Sequence, residues 1–487
     1  MIQKIRQNPI AVIFVLIFLF AFGIRLIEIN KYNLWLDECI SVFFANKSLH
    51  ECIVSKFDIQ TLLYNISLCI WVKVFGIGPL AARSLSLIFG MLSVILVYFV
   101  AEKMFKNKIV SLTAMLLLAL NPMCIHFSCE VRAYSMLCFG VLFSFCCLLN
   151  YLDKQNIKNT ILYTASIIIL VYTHSFGWIF LFIETLFALI QIIKTGKRNL
   201  LKNWLLIQMV VLVFATYIVY MVIKNFKSMT TTVGWIKQPD FGILLKTFYE
   251  LSGSDWVAKI FSILIIIYLF VLVFRNYKKT YSSISFILFL TIWILFPLLL
   301  IYFYSIYYHS IFLTRYFIIC IPPLILLTAY IINNLTGNTI LKYTAISIIS
   351  LLLLFRINLN NDLSKTYNEP WKKICEDIRK NKNGKEIIII EPYFNIFPFT
   401  YYYARDYFCS AENIFSNTMK FDTYTFFTPE DFESKIKNIS GNVWLVIYGK
   451  ETLNNDNKIY NYFKENKNVV YEWQYPEKYS LNVFYFQ

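Results

Sequence analysis

Eleven long apolar runs, almost free of charge, decide what this chain can become. They lie at roughly 9–28, 80–101, 109–121, 133–152, 160–173, 176–193, 204–223, 258–274, 284–305, 316–332 and 340–357. Several approach the ~20 residues that a helix needs to cross hydrocarbon. Inside a bilayer a segment must satisfy its own backbone polar groups, so only helices and closed barrels span it. Barrel strands alternate polar and apolar positions. These runs do not, so they are read as helices. Over 487 residues, 58% are hydrophobic and 15% charged, too few charges to clothe a soluble core of this size. The chain is predicted to be a polytopic α-helical membrane protein with about eleven spans.

The first run reads as a permanent helix rather than a cleaved leader. It is too long, and Asn30–Asp37 behind it carries bulky Tyr and Trp instead of a small-residue cleavage site. Lys and Arg in short loops set orientation. Lys4 and Arg6, Lys103 to Lys108, Lys154 and Lys158, Lys194 to Lys202, and Arg275 to Lys279 all fall on one side. The opposite short loops lack Lys. That side is predicted to be cytoplasmic, which places the N-terminus inside and the loop 29–79 and the tail 358–487 outside. Loop 224–257, with Lys224, Lys227 and Lys237, runs against the rule, as longer loops are freer to do. The net charge of +16 therefore needs no nucleic acid; it suits anionic headgroups and a phosphate-bearing substrate.

Two domains are expected: a bundle over 1–357 that includes loop 29–79, and a soluble α/β domain over 358–487. The tail carries a helix near 371–380 and strands near 386–390, 442–449 and 481–487. Segment 60–75, QTLLYNISLCIWVKVF, is expected to lie at or dip into the outer interface. Eleven cysteines show no metal or disulfide spacing. Most sit within the spans as small apolar residues, and only Cys39 and Cys52, in one loop, are candidates to pair.

The chemistry-bearing residues gather at the outer ends of the spans. NLWLDECISVFF, 33–44, sets Asp37 and Glu38 among aromatic and aliphatic neighbours directly after the first span. Acids held at a membrane surface are costly and point to function as a general base or metal ligand; the bland alternative is a solvated pair beyond a helix end. In HFSCEVRAY, 126–134, Glu130 and Arg132 lie two apart, so on a helix they would face different ways. Arg132 beside Tyr134 can hold a phosphate in its planar fork, or it is an arginine reaching the interface with its tyrosine. His50, His126, His174 and His309 all fall on the outer side. They are candidates for proton relay or a divalent metal, though no pair has ligand spacing. Arg315 and Tyr316 form a second arginine–aromatic pair. Glu184 lies mid-span, as a buried contact or a relay. No phosphate-binding glycine loop for a nucleotide is present, so an outer-face enzyme would draw on a substrate already activated in the membrane.

Taken in order, these motifs resemble a known family. L-W-x-D-E at 34–38 is followed by F-G-x-x-P-L-A-A-R-S-L-S-L-I-F-G at 75–90. N-P-x-x-x-x-x-S-x-E-x-R-A-Y comes at 121–134, Y-T-H-S-F-G at 172–177 and T-R-Y-x-x-x-x-x-P-P at 314–323. The series resembles the GT-C glycosyltransferases, chiefly the bacterial relatives of protein O-mannosyltransferases and the lipid A aminoarabinose transferase, over about residues 1–330. The resemblance implies a GT-C bundle with an extracytoplasmic α/β tail in a bacterial inner membrane. It implies transfer, with inversion, of a hexose or pentose from a polyprenyl-phosphate carrier to an extracytoplasmic lipid, glycan or protein. Asp37, with Glu38 beside it, would be the first-loop acid that binds or deprotonates the acceptor. Glu130 and Arg132 would work at the acceptor and carrier phosphate, and Tyr134, His174, Arg315 and Tyr316 would line the site. One departure stands out. Many members carry His-Pro-Pro in the first loop, where this chain reads FDIQTLLYNI, 57–66, leaving Asp58 or Gln60 as substitutes. A divalent metal ion thus stays open as a cofactor.

Competing classes predict different patterns. A transporter or flippase should place polar groups near the midplane, often in repeated halves; here Glu184 is the central acid and no repeat is visible. A membrane scaffold would be indifferent to loss of Asp37.

Overall fold

The computed structural model describes residues 9–54, 61–232, 234, 236–274, 281–335, 338–359, 369–384, 386–416, 418–427, 429–436, 441–448, 458–475 and 481–487. They form two compact units. One holds residues 1–29, 53–67 and 83–360; the other holds 30–52, 68–82 and 361–487. Two stretches of the outer loop thus group with the tail, where the sequence reading placed the whole loop with the bundle. Asp58 and Gln60 lie outside the described residues.

The first unit is a multi-pass helical bundle. Among the described residues, eight helices are long and apolar enough to span: Pro9–Glu28, Pro79–Phe105, Tyr134–Asp153, Phe176–Thr195, Arg198–Lys224, Ser285–Tyr307, Thr314–Leu335 and Thr339–Ile357. Two bent pairs, Lys108–Leu120 with Pro122–Ser128 and Phe241–Ser252 with Asp255–Phe270, raise the number to 10. The expected eleventh, Ile157–Thr173, has 17 residues, at the lower edge of spanning length.

Local chemistry sets the ends of these helices. Asn107 and Asn156 cap theirs through side-chain oxygens that accept from Val110 N–H at 3.3 Å and Asn159 N–H at 2.8 Å. Gly253, at φ +94°, makes the 95° bend of the second pair. A Cβ there would also meet Leu353 Cδ2 at 2.6 Å and Pro122 Cδ at 2.8 Å, so only glycine suits the position. Inside, Trp293 is fully buried against Phe145, Phe180 and Phe289. Of the apolar window of Thr314–Leu335, 94% is buried, against 11% for Thr339–Ile357. The former is enclosed by protein, and the latter offers its face to lipid.

The second unit is built on a five-stranded mixed sheet: β1 (Ile387–Glu391), β2 (Thr423–Tyr424), β3 (Val443–Tyr448), β4 (Val469–Tyr475) and β5 (Leu481–Phe486), in the order β2-β1-β3-β5-β4. β1 runs parallel to β2 and β3, and β5 antiparallel to β3 and β4. Ile387, Ile389, Val443, Leu445, Ile447, Phe484 and Phe486 share a core with Phe432 and Phe463, as alternation along each strand requires. Helix Trp371–Asn381 buries Trp371, Ile374, Cys375 and Ile378. Helix Leu36–Ala45, from the outer loop, packs here: Phe43 meets Phe397 and Phe408 edge-on, each at 5.3 Å. Cys39 and Cys52 do not pair. Their thiols donate instead to Leu34 O at 3.8 Å and Phe44 O at 3.2 Å.

Candidate active site

In the helical unit the site is built on a break at Asn121–Pro122. Proline disfavours helical backbone in the residue before it, and Asn121 is extended, at φ −64° and ψ 119°. Its Oδ1 accepts from Cys124 N–H at 3.1 Å, starting the next helix, and its Nδ2 donates to Leu251 O at 2.9 Å. The chain turns by 61°. Helix Pro122–Ser128 then ends, and residues 129–133 are not helical. The expectation that Glu130 and Arg132 face apart on a helix therefore fails: they sit in a turn, with Arg132 N–H donating to Glu130 O at 2.9 Å. Glu130 is 3% exposed, and its Oε2 lies 3.6 Å from His126 Nε2.

Helix Pro79–Phe105 supports this turn along one face. Arg83, Ser86 and Gly90 stand at i, i+3 and i+7, a single stripe of a helix. Arg83 donates to Ile29 O at 2.9 Å and bears electrostatically on His126. Ser86 Oγ donates to Arg132 O at 3.3 Å and bonds Tyr64 Oη at 3.1 Å. Gly90 lies so close to Ser128 that a Cβ would come within 2.1 Å of its Oγ. Arg25, from the first span, completes the support. It is fully buried, and it donates from Nε to Ser128 Oγ and from Nη1 to Ala21 O and Ala119 O, each at 3.1 Å. Sequence reasoning gives no role to Arg25, and it quotes Arg83, Ser86 and Gly90 only within the 75–90 motif. An arginine inside an apolar helix is the signal that could find the first of them.

Beyond the turn, aromatic and cationic groups converge. Tyr134, His174 and Tyr316 contact one another, with ring centroids 5.4 to 6.3 Å apart. Arg315 lies 5.9 Å over Tyr316. Phe176 N–H donates to His174 Nδ1 at 3.1 Å. That nitrogen is therefore an acceptor, and the neutral ring carries its proton on Nε2. Burial first, then the positive charges of Arg132 and Arg315, lower the His174 pKa, which agrees with a neutral ring. The Pro322–Pro323 pair, in the first turn of helix Ile321–Leu335, fixes where the short 3-10 segment Thr314–Cys320 gives way to α-helix. The structure thus gathers Glu130, Arg132, Tyr134, His174, Arg315 and Tyr316 in one unit. His50 and His309 are exposed. Glu184 is a buried contact, accepting from Ser144 Oγ at 2.7 Å. Among the described residues no three His, Cys, Asp or Glu side chains form a metal-binding group.

Asp37 and Glu38 belong to the other unit, as the second and third residues of helix Leu36–Ala45. Glu38 is fully buried, and its Oε2 accepts from Trp35 N–H at 3.3 Å, closing the start of its own helix. Asp37 is half-buried, and its backbone oxygen accepts from Ser41 Oγ at 2.8 Å. The helix is tied down at both ends. Leu34 N–H donates to Tyr402 Oη at 2.7 Å, Leu36 N–H to Glu369 at 3.0 Å, and Asn46 Nδ2 to Cys409 O at 3.0 Å.

Residues 66–232 match the family of dolichyl-phosphate-mannose-protein mannosyltransferases. No curated protein sequence matches the chain. ArnT from Cupriavidus metallidurans in the apo state shares the fold at a TM-score of 0.62 and 11% identity, over 96% of this chain and 97% of that one. The same protein bound to undecaprenyl phosphate gives 0.61 at 12% identity, over the same shares. An Archaeoglobus fulgidus oligosaccharyltransferase tethered to an acceptor peptide gives 0.54 at 10%, over 91% of this chain and 69% of that one. The chain is thus a multi-pass membrane protein that shares the fold of ArnT and is similar over residues 66–232 to the dolichyl-phosphate-mannose-protein mannosyltransferases.

Proposed function

We propose that the chain is an inverting glycosyltransferase that moves a hexose or pentose from a polyprenyl-phosphate carrier to an extracytoplasmic lipid, glycan or protein. The observation that carries this reading is the contact cluster of Tyr134, His174 and Tyr316, with Arg315 5.9 Å over the Tyr316 ring and Arg132 near enough to bear electrostatically on His174. Two guanidinium groups among aromatic rings suit a phosphate whose charge grows as a bond breaks. The undecaprenyl phosphate held by ArnT, a protein of similar fold, supports a lipid phosphate as that group.

The reaction needs one base opposite the leaving group. Asp37 is assigned that role. It takes the proton of an acceptor hydroxyl, the oxygen attacks the anomeric carbon from the face opposite the phosphate, and the sugar–phosphate bond breaks with its electron pair on the carrier. Arg132 and Arg315 hold the released phosphate, with His174 and Tyr134 beside them to orient it. Glu38 is committed to its own helix start. Glu130, beside His126, steadies the turn that bears Arg132 and binds the acceptor or relays a proton. If a divalent cation takes part, a carboxylate such as Asp37 or Glu130 would hold it, and it would supply positive charge to stabilise the leaving phosphate. The protein is assigned to a bacterial inner membrane by its family resemblance, and the Lys and Arg of its short loops support a cytoplasmic N-terminus and an extracytoplasmic tail.

The test is transfer by the full chain in lipid nanodiscs, from radiolabelled polyprenyl-phosphate sugars to a membrane glycolipid extract. Asp37→Asn is expected to lower kcat by about 100- to 10,000-fold, the scale of a lost general base, with melting unchanged. Equal transfer by wild type and variant would remove Asp37 from the mechanism. Wild type inert toward every donor, yet translocating labelled lipid across the bilayer, would replace the enzyme with a flippase.

A further inference from the structure

The start of the helix that carries Asp37 is held by a carboxyl group more than 300 residues away. Glu369 is 4% exposed. Its Oε2 accepts from Trp371 Nε1 at 2.8 Å and from Leu36 N–H at 3.0 Å, and its Oε1 accepts from Tyr448 Oη at 2.9 Å. Trp371 is fully buried at the head of helix Trp371–Asn381, and Tyr448 closes strand β3. Both are fixed by regular structure, so the carboxyl group between them has little freedom. Leu36 is the first residue of its helix and Asp37 the second. First-turn amides have no partner inside a helix. Here Glu38 accepts from Trp35 N–H and Glu369 accepts from Leu36 N–H, so the backbone just before Asp37 is fixed from two sides.

We propose that Glu369 is a positioning residue for Asp37, fixing the helix start from which the Asp37 carboxylate is aimed. This rests on the reading of Asp37 as the base. An apolar residue of similar size could fill the same space, but it could not hold the amide.

The experiment compares Glu369→Leu, Glu369→Gln and Tyr448→Phe in the full chain, each alone and with Asp37→Asn. Glu369→Leu is expected to lower kcat about 10- to 100-fold, the cost of a small misplacement of a reacting group, with donor KM within about twofold. Glu369→Gln, whose amide oxygen can still accept from Leu36 N–H, is expected to recover most of the loss. In the Asp37→Asn background, Glu369→Leu is expected to cost almost nothing, because a residue acting through another has no effect once that one is gone. A readout free of activity runs alongside: hydrogen exchange at the amides of residues 36–39, expected to speed up in Glu369→Leu and stay slow in Glu369→Gln. Equal losses with and without Asp37, or unchanged exchange in Glu369→Leu, would overturn the proposal. If Glu369→Leu does not fold, Tyr448→Phe, which leaves Oε1 without its donor, is read in the same two assays and decides alone. Absence of transfer in wild type counts against the enzyme reading, while the exchange data still decide whether Glu369 holds the helix.

Discussion

Gly90→Ala is the smallest change expected to disturb the helical unit, and its size can be worked out in advance. A Cβ at residue 90 would sit 2.1 Å from Ser128 Oγ and 2.7 Å from Ser128 Cβ. Neither atom is the far end of a flexible chain, so the helices must part or Ser128 must turn away. Ser128 Oγ accepts from Arg25 Nε at 3.1 Å and donates to Cys124 O at 2.5 Å. Losing a hydrogen bond to a buried charge costs about 1.5–3 kcal/mol, and overpacking adds about 1–3 kcal/mol. Gly23 is the control. It lies in the first span with nothing within 4 Å of where a methyl group would stand, so Gly23→Ala should gain up to about 1 kcal/mol from helix propensity. Thermal unfolding in matched micelles should therefore separate the two variants by about 3 kcal/mol or more. Adding Ser128→Gly to Gly90→Ala removes the clash without restoring the Arg25 bond, so it should recover the packing share alone. If Gly90→Ala melts with Gly23→Ala, the close approach is not real and the support assigned to Arg25 falls with it.

Two further outcomes concern the tail. Burial pushes the Glu369 and Glu391 carboxyl groups up to about 7 from an ordinary 4.5; between those values the folded chain keeps protons that the unfolded chain has released, so stability falls as pH rises from about 4.5 to about 7 and levels off above. For Glu369 alone the loss is about 3 kcal/mol, and Glu369→Gln should flatten that part of a melting profile taken between pH 5 and 8; an unchanged slope would refute the assignment. Ending the chain at residue 360 strips helix Leu36–Ala45 of Glu369, Tyr402, Phe397, Phe408 and the Cys409 carbonyl, and a lone 10-residue helix is marginal in water. Limited proteolysis should then cut near residues 36–45 while the bundle survives; protection equal to the full chain would show that the tail does not hold this helix.

The sequence discloses what is local and periodic. Spans are legible because an apolar run of spanning length has few other uses, and Pro322–Pro323 marks the 3-10 to α junction. The Asn121–Pro122 pair is visible as a motif, but its 61° turn is not, since a proline fixes one backbone angle and not the direction the chain takes afterwards. Long-range partners are invisible. Arg25 meets Ser128 across 103 positions, and Leu36 meets Glu369 across 333; no spacing rule reaches that far. Glu369 itself, in an unremarkable Asn-Glu-Pro-Trp stretch, gives no sign. Strand β4 is a different kind of miss. Tyr471, Trp473 and Tyr475 alternate with Glu472 and Gln474, a period of two that is present in the letters and easily lost in a short edge strand.

The division of labour in the chain follows from the chemistry proposed for it. Cations proposed to hold a lipid phosphate need elements fixed by packing between spans, and Arg132 and Arg315 lie on a turn and a 3-10 segment held by Ser86, Gly90 and the prolines. A base for a variable acceptor has a different need. It must be rigid, yet reachable from outside the bilayer, and a helix anchored to a folded soluble domain provides both. The helix that carries Asp37 is anchored in this way, with Phe43 buried among Phe397 and Phe408 and Glu369 at its head. On the proposal made here for Glu369, the tail sets the backbone from which the base acts. Changes in the tail core that leave every aromatic and cationic contact around His174 intact should still lower kcat. Changes around His174 should act first on the donor.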